Sequence, residues 1–485
     1  MSALLPISSA AADQPSRDRR LFLRQIFFAA NGIGAATLLS ACGGGSNSVS
    51  PVASPTPATP VSTPPAQPPA STPPPPPQSP FARMSALRPA DANGVMLPDG
   101  FSSRIVARSG EAPVPGAPPW HGAPDGGATF AAPDGGWVYV SNAELDFLPN
   151  GDFAGGVSAL RFDAQGTVVQ SYPILKNTGG NCAGGPTPWG TWLSCEEYEF
   201  PPFAATALKV KPAGQVWECD PFKPWLDGQQ GNNFPALGSF SHEAVCVDPV
   251  NKMLYLTEDA PGGRVYRFEC DAADWPQGAA RPQLKTGKLK VLQIKGLPFD
   301  VDPSEEPHAS AVDVLKPTSV EWLDVRSPEQ GQFLVRATLR AVNQTPPGNE
   351  FPKAEGAWYH NGIVFFATSS NHRIWAYDTR LSTLQVIYNG DMTRPDQYTV
   401  NRPDNITVTA FGEVLASEDG GNLEIGVVRS DGTSQVVMRL TGHDGSEITG
   451  PALSPDGSRL YFSSQRGTTG MSENGVTFEI TLPKG

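Results

Sequence analysis

The stretch NCAGGPTPWGTWLSCEE, Asn181 to Glu197, places a thiol, Cys182, just before a Gly-Pro turn and ends the next apolar run on two adjacent carboxylates. Similar polar residues bracket five other short segments. The first polar positions are Asp125, Cys182, Glu243, Glu355, Asp404 and Glu447. The last are Glu144, Glu197, Glu258 with Asp259, Asn371, Glu418 with Asp419, and Gln465. First and last lie about 14 to 19 residues apart, the length of a β-hairpin. If these ends converge, the carboxylates repel one another and cannot all stay ionised without a compensating cation. Many hard oxygen donors suit Ca2+. A thiolate beside them suits a softer, redox-capable or Lewis-acidic metal such as iron. Cys182 is therefore a candidate metal ligand presented by a turn, and Glu197 returns to the same place. Adjacent strand residues face opposite ways, so a pair of neighbouring acids supplies one ligand. Glu197, Glu258 and Glu418 are assigned to the convergent set, and Glu196, Asp259 and Asp419 to the solvated surface. His242 and His360 are further candidate ligands, or residues that orient a neighbour by hydrogen bonding.

The elements that would position these groups repeat along the chain. Helical periodicity is scarce, and short β-type runs separated by Gly, Pro, Asp and Asn dominate. Residues 125–144, 181–197, 242–260, 355–371, 403–421 and 447–465 each read as strand, turn and second strand rich in Val, Leu, Tyr and Phe. Their ends are spaced by about 50 to 60 residues, except for one gap of 112 between 258 and 370. That gap accommodates an insertion at about 272–350. Six such units predict an all-β fold, a six-bladed β-propeller with loop insertions. The innermost strand of each blade lines a central channel, so equivalent strand ends form one ring.

The N-terminal part of the 485-residue chain has a different character. Arg19-Arg20, then Leu21-Phe22-Leu23-Arg24 and an uncharged run of about 16 residues, match a twin-arginine (Tat) export signal. The run is short for a membrane span. It closes on Leu39-Ser40-Ala41-Cys42, a lipobox-like end that would make Cys42 a lipidated N-terminus; simple cleavage at a small-residue site is the alternative. Residues 51–80 hold 14 prolines and no charge, the composition of a semi-rigid polyproline spacer. The chain thus divides into a signal at 1–42, a tether at 43–84 and a propeller domain at 85–485. The net charge is −13; the leader carries four Arg and two Asp, leaving about −15 for the remainder. Nucleic acid is excluded as a partner on this balance. Five cysteines follow Cys42. Cys195 with Cys246 and Cys219 with Cys270 are possible pairs in an oxidising compartment, leaving Cys182 over.

CAGGPTPWGTWLSCEE, GSFSHEAVCVDP, LYLTEDAPGGRVYRFEC and GPALSPDGSRLYFSSQ resemble the PhoX-type alkaline phosphatase family over roughly residues 95–480. The resemblance implies a propeller whose channel holds Fe(III) and Ca2+, in an exported, periplasmic or cell-envelope phosphoester hydrolase. It implies iron on Cys182, with Glu243, Glu258 and Glu197 as matching ligands. By position, Glu144, Glu355, Asp404 and Glu418 complete the metal set. Two departures stand out. Asn142-Ala143-Glu144 replaces an Asn-His-Glu run, and the chain is short for the family.

The implied chemistry is in-line attack of a metal-activated water on a small phosphoester. Arg402, before Pro403-Asp404, is the candidate cation for the phosphoryl oxygens. Asn142 and Asn405 are candidate hydrogen-bond donors to phosphate. The chain is expected to act as a monomer, held to a membrane only through Cys42. Two other readings are a calcium-dependent lactonase-like propeller hydrolase, which does not need Cys182, and a non-catalytic propeller with structural calcium.

Overall fold

The computed structural model describes residues 78–146, 148, 152–199, 213–229, 231–390 and 399–483. The export signal, Cys42 and nearly all of the proline-rich segment lie outside the described residues.

The apolar, β-branched runs form antiparallel strands joined by turns at Gly, Asn and Asp, and the result is an all-β, propeller-like fold. The described residues form four smaller sheets and one nine-stranded sheet. Each of the six hairpins foreseen in the sequence is present. The first strands are Pro124–Ala131, Asn181–Pro186, His242–Asp248, Ala354–His360, Pro403–Val408 and Ile448–Leu453. They contact one another in that order, and Ile448–Leu453 returns to Pro124–Ala131, so the innermost strands close a ring around an axis. The ends of the domain are interleaved. Ser102–Arg108 pairs with Val476–Thr481 and completes the sheet begun by the last hairpin. Val95–Met96 pairs with Leu440 and Arg439 of the preceding sheet. Phe81, within the stretch that composition assigns to the tether, is buried beside Val95, Leu97 and Phe101.

The sheets pack through apolar side chains on both faces. Val138, Val140 and Val157 meet Trp192 between the first two sheets. Leu193, Val245, Leu254 and Phe268 fill the next interface. This two-sided burial explains why the strands read as nearly continuous apolar runs rather than alternating ones.

Within the long gap, strand Gly287–Ile294 extends the third hairpin's sheet. Thr318–Asp324 then bridges it to Thr383–Asn389, and a single turn-rich excursion carries the helix Gln332–Ala341. All five cysteines after Cys42 are free thiols. The pairs allowed by the sequence do not form, and burial without oxidation suits Cys195, Cys219 and Cys246 as small core residues.

Candidate active site

A register shift interrupts every inner hairpin near its start, after Pro124, Asn181, His242, Ala354, Pro403 and Thr449, and in the first five it contains the first polar residue. Such a bulge bends the strand and re-aims the side chain beside it. Here it turns Asp125, Cys182, Glu243, Glu355 and Asp404 into the channel. The sixth equivalent is Thr449, because Ile448 pairs with Ser464 as Pro124 pairs with Ala143. The residues that follow are small: Gly126, Ala183, Ala244, Gly356 and Gly450, with Asn405 the exception. They line a small cavity of about 20 Å3 next to the acids. A Cβ on Gly126 would lie 2.5 Å from the Ala183 Cα, so glycine is what lets neighbouring inner strands approach this closely.

Two groups of three carboxyls result, Asp125 with Glu144 and Glu447, and Glu243 with Glu355 and Asp404. In each group one ligand atom per residue lies within 4.8 Å of the others. The groups feel one another's charge: Glu355, Glu243 and Asp125 all act on Asp404. The Cys182 Sγ sits 3.3 Å from the His242 carbonyl and 3.6 Å from that of Glu243, and Glu243 and Glu197 act on it. Cys182 and Glu243, 61 residues apart in sequence, are thus in contact.

Electrostatics record how crowded this is. Burial, then Glu144 and Glu447, hold the Asp125 carboxyl well above its ordinary value. Burial, then Glu355 and Asp125, do the same to Glu243. Burial and then Asp259 raise Glu355 to about 7, and burial, with Asp419 and Glu144, raises Glu447 to about 8. Burial followed by Glu243, Glu197 and Asp125 pushes the Cys182 thiol well up. Among the described residues, the side chains of Lys353, Arg466 and Arg402 bring positive charge to the acids. Lys353 Nζ lies 3.0 Å from Asp259 and 3.1 Å from Glu355. Arg466 pairs with Glu447 at 2.8 Å, and Arg402 with Asp419. The carboxyls outnumber them, so the two groups of acids could hold metal ions that offset their charge.

Two residues assigned to the ring from the sequence are not brought to it. Glu258 is fully buried, but its Oε1 accepts from Arg336 Nη2 at 2.6 Å. Its Oε2 accepts from the Arg264 amide and the Tyr266 hydroxyl. Glu418 accepts from the Asn401 and Glu424 amides at 2.6 and 3.0 Å. Both repeat the role of Glu196, which clasps the Gly179 and Gln215 amides. In each pair the second acid turns inward: Glu197, Asp259 and Asp419. Strand alternation was the right rule, applied one residue out of phase in two of the three pairs. The fourth unit likewise presents Ser369, whose Oγ donates to Glu355 at 2.6 Å, in place of the expected Asn371.

Asn142 does not face the channel as a free donor. Its Nδ2 donates to the Cys182 and Ala183 carbonyls at 3.1 and 2.6 Å. Its Oδ1 accepts from Trp192 Nε1 and Ser194 Oγ. It therefore fixes the turn that carries Cys182 and gives the Trp192 indole its hydrogen-bond partner. Asn405 donates to Asp404 and Glu243 and accepts from the Gly450 amide. Arg402 stands at the rim, with its side chain 44% exposed. The His242 ring accepts no place in the channel: it packs on Phe240 and meets the Gly238 carbonyl, and burial lowers it to about 3. His360 lies beside Asn361 at the far end of its strand. Lys353 and Arg466 went unread in the sequence: Lys353 precedes the strand Ala354–His360 and reaches Glu355 through a left-handed backbone that no strand periodicity reveals.

The profile of the alkaline phosphatase PhoX family matches residues 154–467. Among solved structures, Pseudomonas fluorescens PhoX in complex with vanadate, a transition-state analogue, shares the fold at 17% identity. Its TM-score is 0.63, over 82% of this chain and 97% of that one. A gluconolactonase from Xanthomonas campestris, at 12% identity over 83% and 99% of the chains, gives a TM-score of only 0.37. No curated protein sequence matches the chain. With the family profile spanning well over half its length, the chain belongs to the alkaline phosphatase PhoX family and is a phosphoester-hydrolysing phosphatase.

Proposed function

We propose that this protein is an exported, metal-dependent phosphomonoesterase, or phosphodiesterase, whose channel acids hold calcium and, at Cys182, iron. The observation that carries the reading is the pair of buried carboxyl triads joined across Cys182. Asp125, Glu144 and Glu447 would hold one cation, and Glu243, Glu355 and Asp404 another, with Cys182 and Glu197 beside the second. When bound, the metals polarise the phosphoryl oxygens and make a water acidic enough to attack. The chain's own residues do the rest. Asn142 sets the Cys182 turn, Lys353 and Arg466 balance charge within the acids, and Arg402 at the rim draws in an anionic ester. We read the nine-stranded sheet as two blades joined at Thr318–Asp324, which makes the propeller six-bladed. The twin-arginine stretch and Cys42 support export and lipid anchoring at the cell envelope, with the proline spacer holding the domain off the membrane.

The test is hydrolysis of p-nitrophenyl phosphate and bis-p-nitrophenyl phosphate at alkaline pH, before and after chelation. The reading requires activity that is lost with the metals and restored by them. Activity on a lactone alone, or none in metal-replete protein, would replace it with one of the other two readings. A Cys182→Ser protein that kept its iron and its rate would remove the sulfur from the account.

A further inference from the structure

Lys353 is an unusual residue to find at this place. It ends the long excursion between the third and fourth hairpins, and its backbone has φ 52°, a left-handed conformation that side chains with a Cβ rarely adopt. Both backbone groups hold it there: its amide donates to the Ala260 carbonyl at 2.9 Å, and its carbonyl accepts from the Ser369 amide at 3.1 Å. The fold thus maintains a strained conformation whose product is one side chain delivered into the acids. The ammonium bridges Asp259 and Glu355 at 3.0 and 3.1 Å. Glu355 Oε1, which it contacts, also takes the Ser369 hydroxyl, and the same residue belongs to the Glu243–Glu355–Asp404 triad. Asp259 is the inward acid of its hairpin, equivalent to Glu144 and Glu197. A pair of facing carboxylates on adjacent hairpins is the kind of place a divalent cation would take.

We propose that the Lys353 ammonium occupies a cation position of the channel, between Asp259 and Glu355, and so limits the number of divalent ions the site accepts. This deepens the metal reading above and rests on it. An ammonium supplies one fixed charge and directional donors, whereas an ion supplies two charges and can leave. The position is therefore filled whatever the metal supply, and Glu355 keeps its orientation toward Glu243 and Asp404.

The experiment counts ions. Wild type, Lys353→Met, Lys353→Arg and the double variant Lys353→Met with Asp259→Asn are stripped with a chelator and dialysed to equilibrium against Ca2+. Bound calcium per chain is then measured by elemental analysis, with thermal midpoints recorded alongside. Lys353→Met should bind one more ion per chain than wild type and gain more in midpoint from calcium. Lys353→Arg and the double variant, in which the acid leaves with the base, should return to the wild-type count. The double variant also covers the case in which Lys353→Met alone does not fold without calcium. An unchanged count in Lys353→Met overturns the proposal. So does an unchanged count with loss of inorganic phosphate binding by calorimetry, which would make Lys353 a substrate contact. A wild type that binds no divalent ion overturns the metal reading itself, and this inference with it.

Discussion

Stripping the channel of cations should make stability fall as pH rises, the reverse of ordinary acid denaturation. The ordinary glutamate value is 4.5, and in the folded chain Glu355 stands at about 7 and Glu447 at about 8, chiefly because both are buried among other acids. Between those values the folded state keeps protons that the unfolded state has released. Stability is then complete below about 4.5 and declines as pH climbs through 7 and 8, by up to about 1.4 kcal/mol per pH unit for each such group. For Glu355 the rise from 4.5 to about 7 amounts to about 3 kcal/mol. That is a large share of a typical stability of about 5–15 kcal/mol. The assay is urea denaturation at pH 5, 6, 7 and 8, with chelator and with saturating Ca2+. The chelated midpoint should drop steadily across the series. Calcium should flatten the series, because a bound cation takes over the role of the protons. Glu196 and Glu418, raised to about 7 and 8 by burial, add a slope of the same sign that calcium leaves in place, so the difference between the two series is the informative quantity. A chelated protein whose stability stayed level or rose from pH 5 to 8 would show that these buried carboxyls keep no extra protons in the folded state.

Four substitutions separate residues that hold the fold from residues that serve the site. Glu258→Gln breaks a buried ion pair with Arg336 and should cost about 3–5 kcal/mol in urea denaturation, while metal bound per folded chain stays at the wild-type level. Asp259→Asn, one residue on, removes one of the two carboxylates that hold the Lys353 ammonium and should cost about 1–3 kcal/mol, with calcium per folded chain unchanged by elemental analysis. Asn142→Ala leaves the Cys182 and Ala183 carbonyls and the Trp192 indole without their partner, for a loss of about 2–4 kcal/mol, and should lower iron content with it. Arg402→Gln at the exposed rim should alter stability by less than about 1 kcal/mol but raise the KM for an anionic ester about tenfold, equivalent to about 1.4 kcal/mol.

The all-β class, the six hairpins and the convergence of Cys182 with Glu243 were all legible in the sequence. The repeat spacing marks equivalent strand ends, and a ring brings equivalent ends together. What failed was phase at single-residue resolution. In Glu258-Asp259 and Glu418-Asp419 both residues are acids, so the choice between them depends on where the strand's last paired residue falls. His242 pairs with Glu258 and Pro403 with Glu418, as Asn181 does with Glu196. Only that register shows that the second acid of each pair points inward. Asn142 looked like a substrate donor because it is a polar residue at a strand end, but its role depends on partners 40 to 52 residues away. Arg336, which holds Glu258, comes from the excursion that has no repeat signature at all. Thr449 was hidden by Glu447, an acid two residues earlier at the place where one was sought.

The most direct test of the account is elemental analysis of the protein exported by its own host, combined with phosphoester hydrolysis by that same sample. Iron and calcium should be found together, iron should be depleted by Cys182→Ser, and the rate should fall in proportion to the metal lost. Hydrolysis undiminished in protein freed of both metals would contradict the account.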